Sequence, residues 1–111
     1  MTKPVIRLES AQADEREVTA HYAREAGLDL ALRFAEALKD AYCSIGNRPA
    51  IGSPRYGDIL SIENLRSRAV RRFPYLVFYV EHEDHVDIWR ILHAQRDIAA
   101  WLRGANFDCF R

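Results

Sequence analysis

Four groups of residues carry side chains able to do chemistry. The stretch RILHAQRD (90–97) ends by concentrating Arg90, His93, Arg96 and Asp97. Guanidinium groups beside an imidazole are the parts of a general acid–base site acting on an anion. The same residues also suit the polar exit of a strand, with Asp97 placed to open the next helix. LRSRAVRRF (65–73) carries Arg66, Arg68, Arg71 and Arg72 with no acid, and guanidinium binds phosphate bidentately. The structural reading is an alternating, solvated strand whose charges pair with Glu81, Glu83 and Asp87 on its neighbours. The turn His82-Glu83-Asp84-His85 offers two imidazoles and two carboxylates, which are metal-ligand types. A hairpin turn does not readily converge all of them and no further ligand is evident, so no metal is expected. Trp89, Tyr75, Phe78 and Tyr79 have faces on which bases could stack. Aromatics at strand spacing beside Val and Ile belong more often to a core or to a partner surface.

The elements that must position these residues follow from pattern. PVIRL (4–8) is a short strand with two β-branched residues. Ser10 is the expected N-cap of a first helix running to about Ala26, with Val18 and Tyr22 on a sparse apolar face. Gly27 stops it. Ala31, Phe34, Ala35, Leu38, Ala41, Tyr42 and Ile45 then follow helical spacing without interruption, with Asp29 as the expected cap. The two helices should form an antiparallel hairpin. Residues 46–64, with three glycines and two prolines, read as a long structureless connection.

Strands follow at LRSRAVRR (65–72), LVFYVE (76–81) and HVDIWRILH (85–93), with FPY as a corner and His82 to Asp84 as a turn. RDIAAWL (96–102) has the spacing of a short closing helix. The order β-α-α-β-β-β-α predicts an α+β fold, a small, mostly antiparallel sheet packed by a helical hairpin. Strict alternation would put Val77, Tyr79, Trp89 and Ile91 on one face of that sheet and Leu76, Phe78, Ile88 and Leu92 on the other. Helices of the hairpin can cover only one of them, so an open apolar face calls for a partner.

Composition bounds the rest. The chain has 111 residues, 16 basic and 16 acidic, and is 49 % hydrophobic. This suits a single domain over 1–111 with its own core, and its neutral total draws it to neither nucleic acid nor membrane. Cys43 and Cys109 sit in no metal-ligand spacing and are expected to be reduced thiols of a cytoplasmic protein. The opening residues turn polar too early for a secretory leader.

Several motifs together carry a resemblance. They are Pro49 and Gly52 in the loop, Leu65-Arg66, Phe73-Pro74-Tyr75, Phe78-Tyr79, and the close Arg90-Ile91-Leu92-His93 with Arg96-Asp97. In this order of elements the chain resembles the ParE toxins of the RelE/ParE superfamily, the toxin half of plasmid-stabilisation toxin–antitoxin pairs. The resemblance covers nearly the whole chain; the tail GANFDCFR (104–111) adds nothing to it.

The resemblance implies a cytoplasmic, non-enzymatic toxin without cofactor that inhibits DNA gyrase by binding it. A ParD-like antitoxin would lay a helix and an extended segment over the open sheet face and the helices. Operator DNA would be bound only through that antitoxin, and no membrane is involved. Partner contacts would then fall on Arg66, Arg68, Arg71, Arg72, Phe73, Tyr75, Arg90, His93 and Arg96. The alternative within the superfamily is a RelE-like, ribosome-dependent mRNA endoribonuclease using Arg90, His93, Arg66 and Arg68. Several such nucleases bring a C-terminal Tyr, Lys or His to the site, whereas this tail has Phe107, Asp108, Cys109, Phe110 and Arg111. A degenerate, non-toxic antitoxin-binding partner is the third reading. The closing motif is expected mainly to hold the strand–helix junction, with Arg90 the residue expected to do more.

Overall fold

The computed structural model describes residues 2–96 together with Ile98, Ala100 and Leu102. Strand β1 (Val5–Arg7) leads into helices α1 (Glu9–Ala26) and α2 (Leu28–Asn47). A 3-10 turn (Pro49–Ile51) and a short helix α3 (Arg55–Leu60) precede strands β2 (Leu65–Ala69), β3 (Tyr75–Glu81) and β4 (Val86–His93). Ile98, Ala100 and Leu102 are helical, where the closing helix was expected; Asp97, Trp101 and the tail lie outside the described residues. The sheet runs β1-β4-β3-β2, with β1 parallel to β4 and the other pairings antiparallel. This is the α+β architecture that the sequence pattern predicts.

The helical hairpin follows from the apolar stripe of α2. Ala31, Phe34, Leu38, Ala41 and Ile45 are buried, and all but Ala31 pack with Val77, Tyr79, Ile88 and Ile91 of the sheet in one core. Gly27 is the single residue between α1 and α2 and has φ +96°, a conformation that side chains with a Cβ adopt only with strain. The expected caps are not used. Neither helix start carries a side-chain capping bond. The Leu8 N–H bonds the Ile88 carbonyl of β4, so strand pairing, rather than the Ser10 hydroxyl, sets where α1 begins. Asp29 already lies inside α2, whose first residue follows Gly27 directly.

Three further expectations are corrected. First, residues 46–64 are not structureless: the 3-10 turn and α3 fill them, and Ser53 exchanges two backbone hydrogen bonds with Ser67 of β2. That exchange shields the edge of β2, which is otherwise open to pairing with another chain. Second, β2 ends at Ala69, so Arg71 and Arg72 lie in the turn before β3; Arg72 has φ +71°. Third, strict alternation fails in β4. A register shift between Phe78 and Tyr79 leaves Trp89 unopposed, the signature of a β-bulge. Ile88 therefore joins Ile91 on the helix-covered face, and Trp89 joins Phe78 and Leu92 on the other.

The bulge and α3 also change the argument about an open face. Phe78, Val80 and Leu92 are buried with Leu65, and Tyr56, Leu60 and Ile62 from the α3 region pack against them together with Ile98 and Leu102. The chain covers its own second face. The large exposed apolar side chains among the described residues are instead Ile6, Leu28, Leu32 and Ile59.

Candidate functional site

The bulge that displaces Trp89 also re-aims Arg90 toward α1. There its Nε and Nη2 donate to the two oxygens of Asp14 at 2.7 and 2.9 Å. Asp14 is 7 % exposed and accepts a third bond, from the Ile91 N–H at 2.9 Å. The third bond has a clear origin. Strand β1 pairs only with Val86 to Ile88, so the edge of β4 beyond it presents an N–H with no strand to bond, and the carboxylate supplies the acceptor. The guanidinium in the middle of an otherwise apolar strand is thus held by a bidentate ion pair between helix and sheet. Asp14 was missed as a partner. Its signal was present, since Ala11, Asp14 and Val18 share the buried spacing of α1.

His93 behaves as the exit of a strand. Its Nδ1 accepts from the Gln95 N–H at 3.1 Å, its carbonyl accepts from the Arg96 N–H, and its ring stands edge-on to Tyr75 at 5.2 Å. An Nδ1 that accepts a backbone N–H does not carry a proton. Arg96 is exposed.

On β2, Arg66 donates to the Gly52 carbonyl at 2.7 Å and to Ala50 at 3.3 Å. The Tyr79 hydroxyl beside it donates to the Pro49 carbonyl at 2.6 Å and accepts from the Gly52 N–H at 2.8 Å. Burial raises the pKa of Tyr79 and keeps it a neutral phenol. These bonds fold the Pro49–Gly52 segment onto the sheet. The expected pairing of the basic strand with acids does not occur. Glu81 pairs with Lys3, and Asp87 faces His82 and His85. Arg68 makes no hydrogen bond or ion pair among the described residues, and Arg71 and Arg72 are exposed beside a groove of about 570 Å³ against α2. Phe73 and Tyr75 serve the interior, where they form an edge-to-face cluster with Tyr22 and Phe34. Phe78 and Tyr79 are fully buried and present no face for stacking.

The residues proposed for nuclease chemistry are therefore not assembled. Arg66 and Arg68 lie on β2 and Arg90 and His93 on β4, with β3 between them. Strands two apart are separated by roughly 10 Å, and the intervening Val77, Tyr79 and Ile91 are buried under the hairpin.

The outer surface of the hairpin is a different kind of place. Ala20, Ala23, Ala35, Leu28 and Leu32 line a shallow groove of about 480 Å³ between α1 and α2. Leu28 is 68 % and Leu32 61 % exposed. The sequence pattern pointed to the inner stripe of α2, and these two leucines lie outside it.

The comparisons with known proteins bear on this arrangement. No curated protein sequence matches the chain. Among solved structures, a chain of one titled "Chromosomal ParDE TA system from P. aeruginosa" shares the fold, with a TM-score of 0.72 at 17 % identity over 85 % of this chain and 98 % of that one. No helix among the described residues is long and apolar enough to cross a membrane. The family model of the ParE toxin of the type II toxin–antitoxin system parDE matches residues 5–98, a span from β1 to beyond the end of β4. The chain belongs to the ParE toxin family.

Proposed function

We propose that this chain poisons DNA gyrase by binding it, without catalysis, and is neutralised by a ParD-like antitoxin. The observation that carries the non-catalytic reading is where Arg90 and His93 of the closing motif and Arg66 of β2 are spent. Arg90 is bound to Asp14, and Arg66 to the carbonyls of Gly52 and Ala50. His93 has its Nδ1 lone pair occupied by Gln95. A general acid–base site needs such groups converging on one reacting atom. Arg71 and Arg72 are exposed, and Arg68 makes no hydrogen bond or ion pair among the described residues; we assign contact with the target to these three.

The antitoxin has apolar surface to use on the hairpin. A partner helix seated between α1 and α2 would bury Leu28 and Leu32, each contributing about 1–2 kcal/mol for the area it still exposes. Leu32→Glu should then weaken antitoxin binding by about tenfold or more while leaving the fold intact, as the residue faces solvent. Titration of purified antitoxin into the variant checks this. Undiminished affinity would place the antitoxin elsewhere.

The functional test separates binding from catalysis. His93→Ala, expressed without antitoxin at matched soluble levels, should retain most of its toxicity, because no proton transfer depends on the ring. Cells should filament and induce DNA damage while protein synthesis initially continues. A folded, antitoxin-binding His93→Ala protein with no toxicity, or early loss of translation with cleaved transcripts, would favour the nuclease.

A further inference from the structure

The β3–β4 turn gathers ligand atoms that the function above does not use. His82 Nε2 lies 3.0 Å from Asp87 Oδ2, and His85 Nε2 lies 3.2 Å from Asp87 Oδ1. The two imidazoles are stacked at 4.6 Å with an interplanar angle of 18°, so both Nε2 atoms address the same carboxylate. One ligand atom from each of the three residues lies within 4.8 Å of the others. From the sequence no metal is expected, because the four turn residues do not readily converge and no further ligand is evident from pattern. The converging carboxylate is instead Asp87, one residue into β4, and the backbone bond from the His82 N–H to the His85 carbonyl closes the turn that brings it there.

The second contact of His85 makes this more than a polar cluster. Its Nδ1 lies 2.6 Å from Asp84 Oδ1, so carboxylates face both nitrogens of one ring. A neutral imidazole has a single N–H and can donate to only one of them. The other nitrogen then turns a lone pair toward an anion unless a cation stands between them. A second proton on the ring is one such cation. A metal ion is the other. A ligating imidazole that donates its remaining N–H to a carboxylate is the usual outer-shell arrangement of zinc sites. Beside the turn, Lys3 and Glu81 are paired with each other, and Lys3 also bonds the His82 carbonyl.

We propose that His82 Nε2, His85 Nε2 and Asp87 bind a divalent transition-metal ion of the zinc type at the β3–β4 turn, with Asp84 orienting His85. Two imidazoles and one carboxylate are the three-ligand set that leaves a coordination position open to water or to an incoming group. Imidazole ligands select zinc, nickel or copper over magnesium or calcium. The two imidazole–carboxylate separations, 3.0 and 3.2 Å, are close to the spacing between ligands of a tetrahedral ion held at zinc–ligand distances near 2.0–2.2 Å.

The test uses the full chain and zinc alone. Competition against a chromophoric chelator should give a single zinc ion per chain, and the imidazole NMR signals of His82 and His85 should shift while those of His21 and His93 stay in place. His85→Ala and Asp87→Ala should abolish the binding. Asp84→Ala should weaken it about 10–100-fold, and because Asp84 is exposed this variant keeps the fold even if the others do not. Absence of zinc binding in the parent chain would overturn the assignment and leave a proton as the occupant of the turn. So would binding that Asp84→Ala and His85→Ala leave unchanged, or shifts confined to His21 and His93.

Discussion

Arg90→Ala should destabilise the protein by about 3 kcal/mol, near the lower end of what breaking a buried ion pair costs. The substitution leaves Asp14 in place at 7 % exposure, with the Ile91 N–H as its remaining hydrogen-bond donor among the described residues and no counter-charge of comparable geometry there. The helix–sheet contact between α1 and β4 then carries a poorly solvated anion. For a chain of this size the loss corresponds to a fall in melting temperature of roughly 10–15 °C. The partner substitution distinguishes an ion pair from a target-binding arginine. Asp14→Asn combined with Arg90→Met removes both charges and retains an acceptor for Ile91, so it should recover part of the stability. Thermal or urea unfolding of the single and double variants checks both statements. An Arg90→Ala protein as stable as the parent but unable to act on its target would show that Arg90 serves the target and not the fold.

A second large effect is expected at Gly52. Its φ of −76° is open to any residue, so the constraint there is space. A Cβ at this position would lie 2.4 Å from the Tyr79 hydroxyl, 2.8 Å from the Ser67 carbonyl and 2.9 Å from the Tyr79 ring. Gly52→Ala should therefore cost about 2–3 kcal/mol through overpacking, since neither the β2 backbone nor a fully buried ring can yield cheaply. Tyr79→Phe should cost about 1–3 kcal/mol for a different reason, as the Pro49 carbonyl and the Gly52 N–H both lose a buried partner. The two changes should be less than additive, because removing the hydroxyl also removes the closest clash. Urea unfolding of both single variants and the double variant measures the coupling; strict additivity would mean that the hydroxyl does not hold the loop.

How far the sequence carries can be read from particular residues. The stripe from Ala31 to Ile45 is uninterrupted, so α2 and its buried face are legible from spacing alone. Gly27 likewise announces the tight link, and the order of elements leads to the α+β class. Local pattern fails where tertiary pairing decides. The start of α1 is set by a bond from Leu8 to Ile88, eighty residues away in the chain, which no capping signal reveals. The faces of β4 were assigned by strict alternation, and a single bulge at Trp89 exchanged the sides of Ile88 and Trp89. Residues 46–64 look like a loop because Gly and Pro dominate them. Their order comes from Tyr79 and Arg66 elsewhere in the chain, which bond the carbonyls of Pro49, Ala50 and Gly52.

The candidate site shows the same division. Arg90 stands out in the sequence as a charge within an apolar strand, while nothing local points from it to Asp14, seventy-six residues away. Periodicity does place Asp14 on the buried stripe, so combining the two observations would have paired them. At the turn from His82 to His85, the converging carboxylate is Asp87, two residues further on in β4, where strand pattern alone does not mark it as a ligand. Exposed Leu28 and Leu32 gave no signal, because apolar residues off the stripe are common on any surface.

The central claim is that the chain acts by binding gyrase and not by cutting RNA. The most direct measurement places purified protein with DNA gyrase and relaxed plasmid in one reaction, and with a translating ribosome extract and labelled mRNA in a parallel one. The expected result is stabilised gyrase-cleaved DNA and loss of supercoiling, reversed by the antitoxin, with the mRNA intact. Normal supercoiling beside ribosome-dependent cleavage of the message would contradict it.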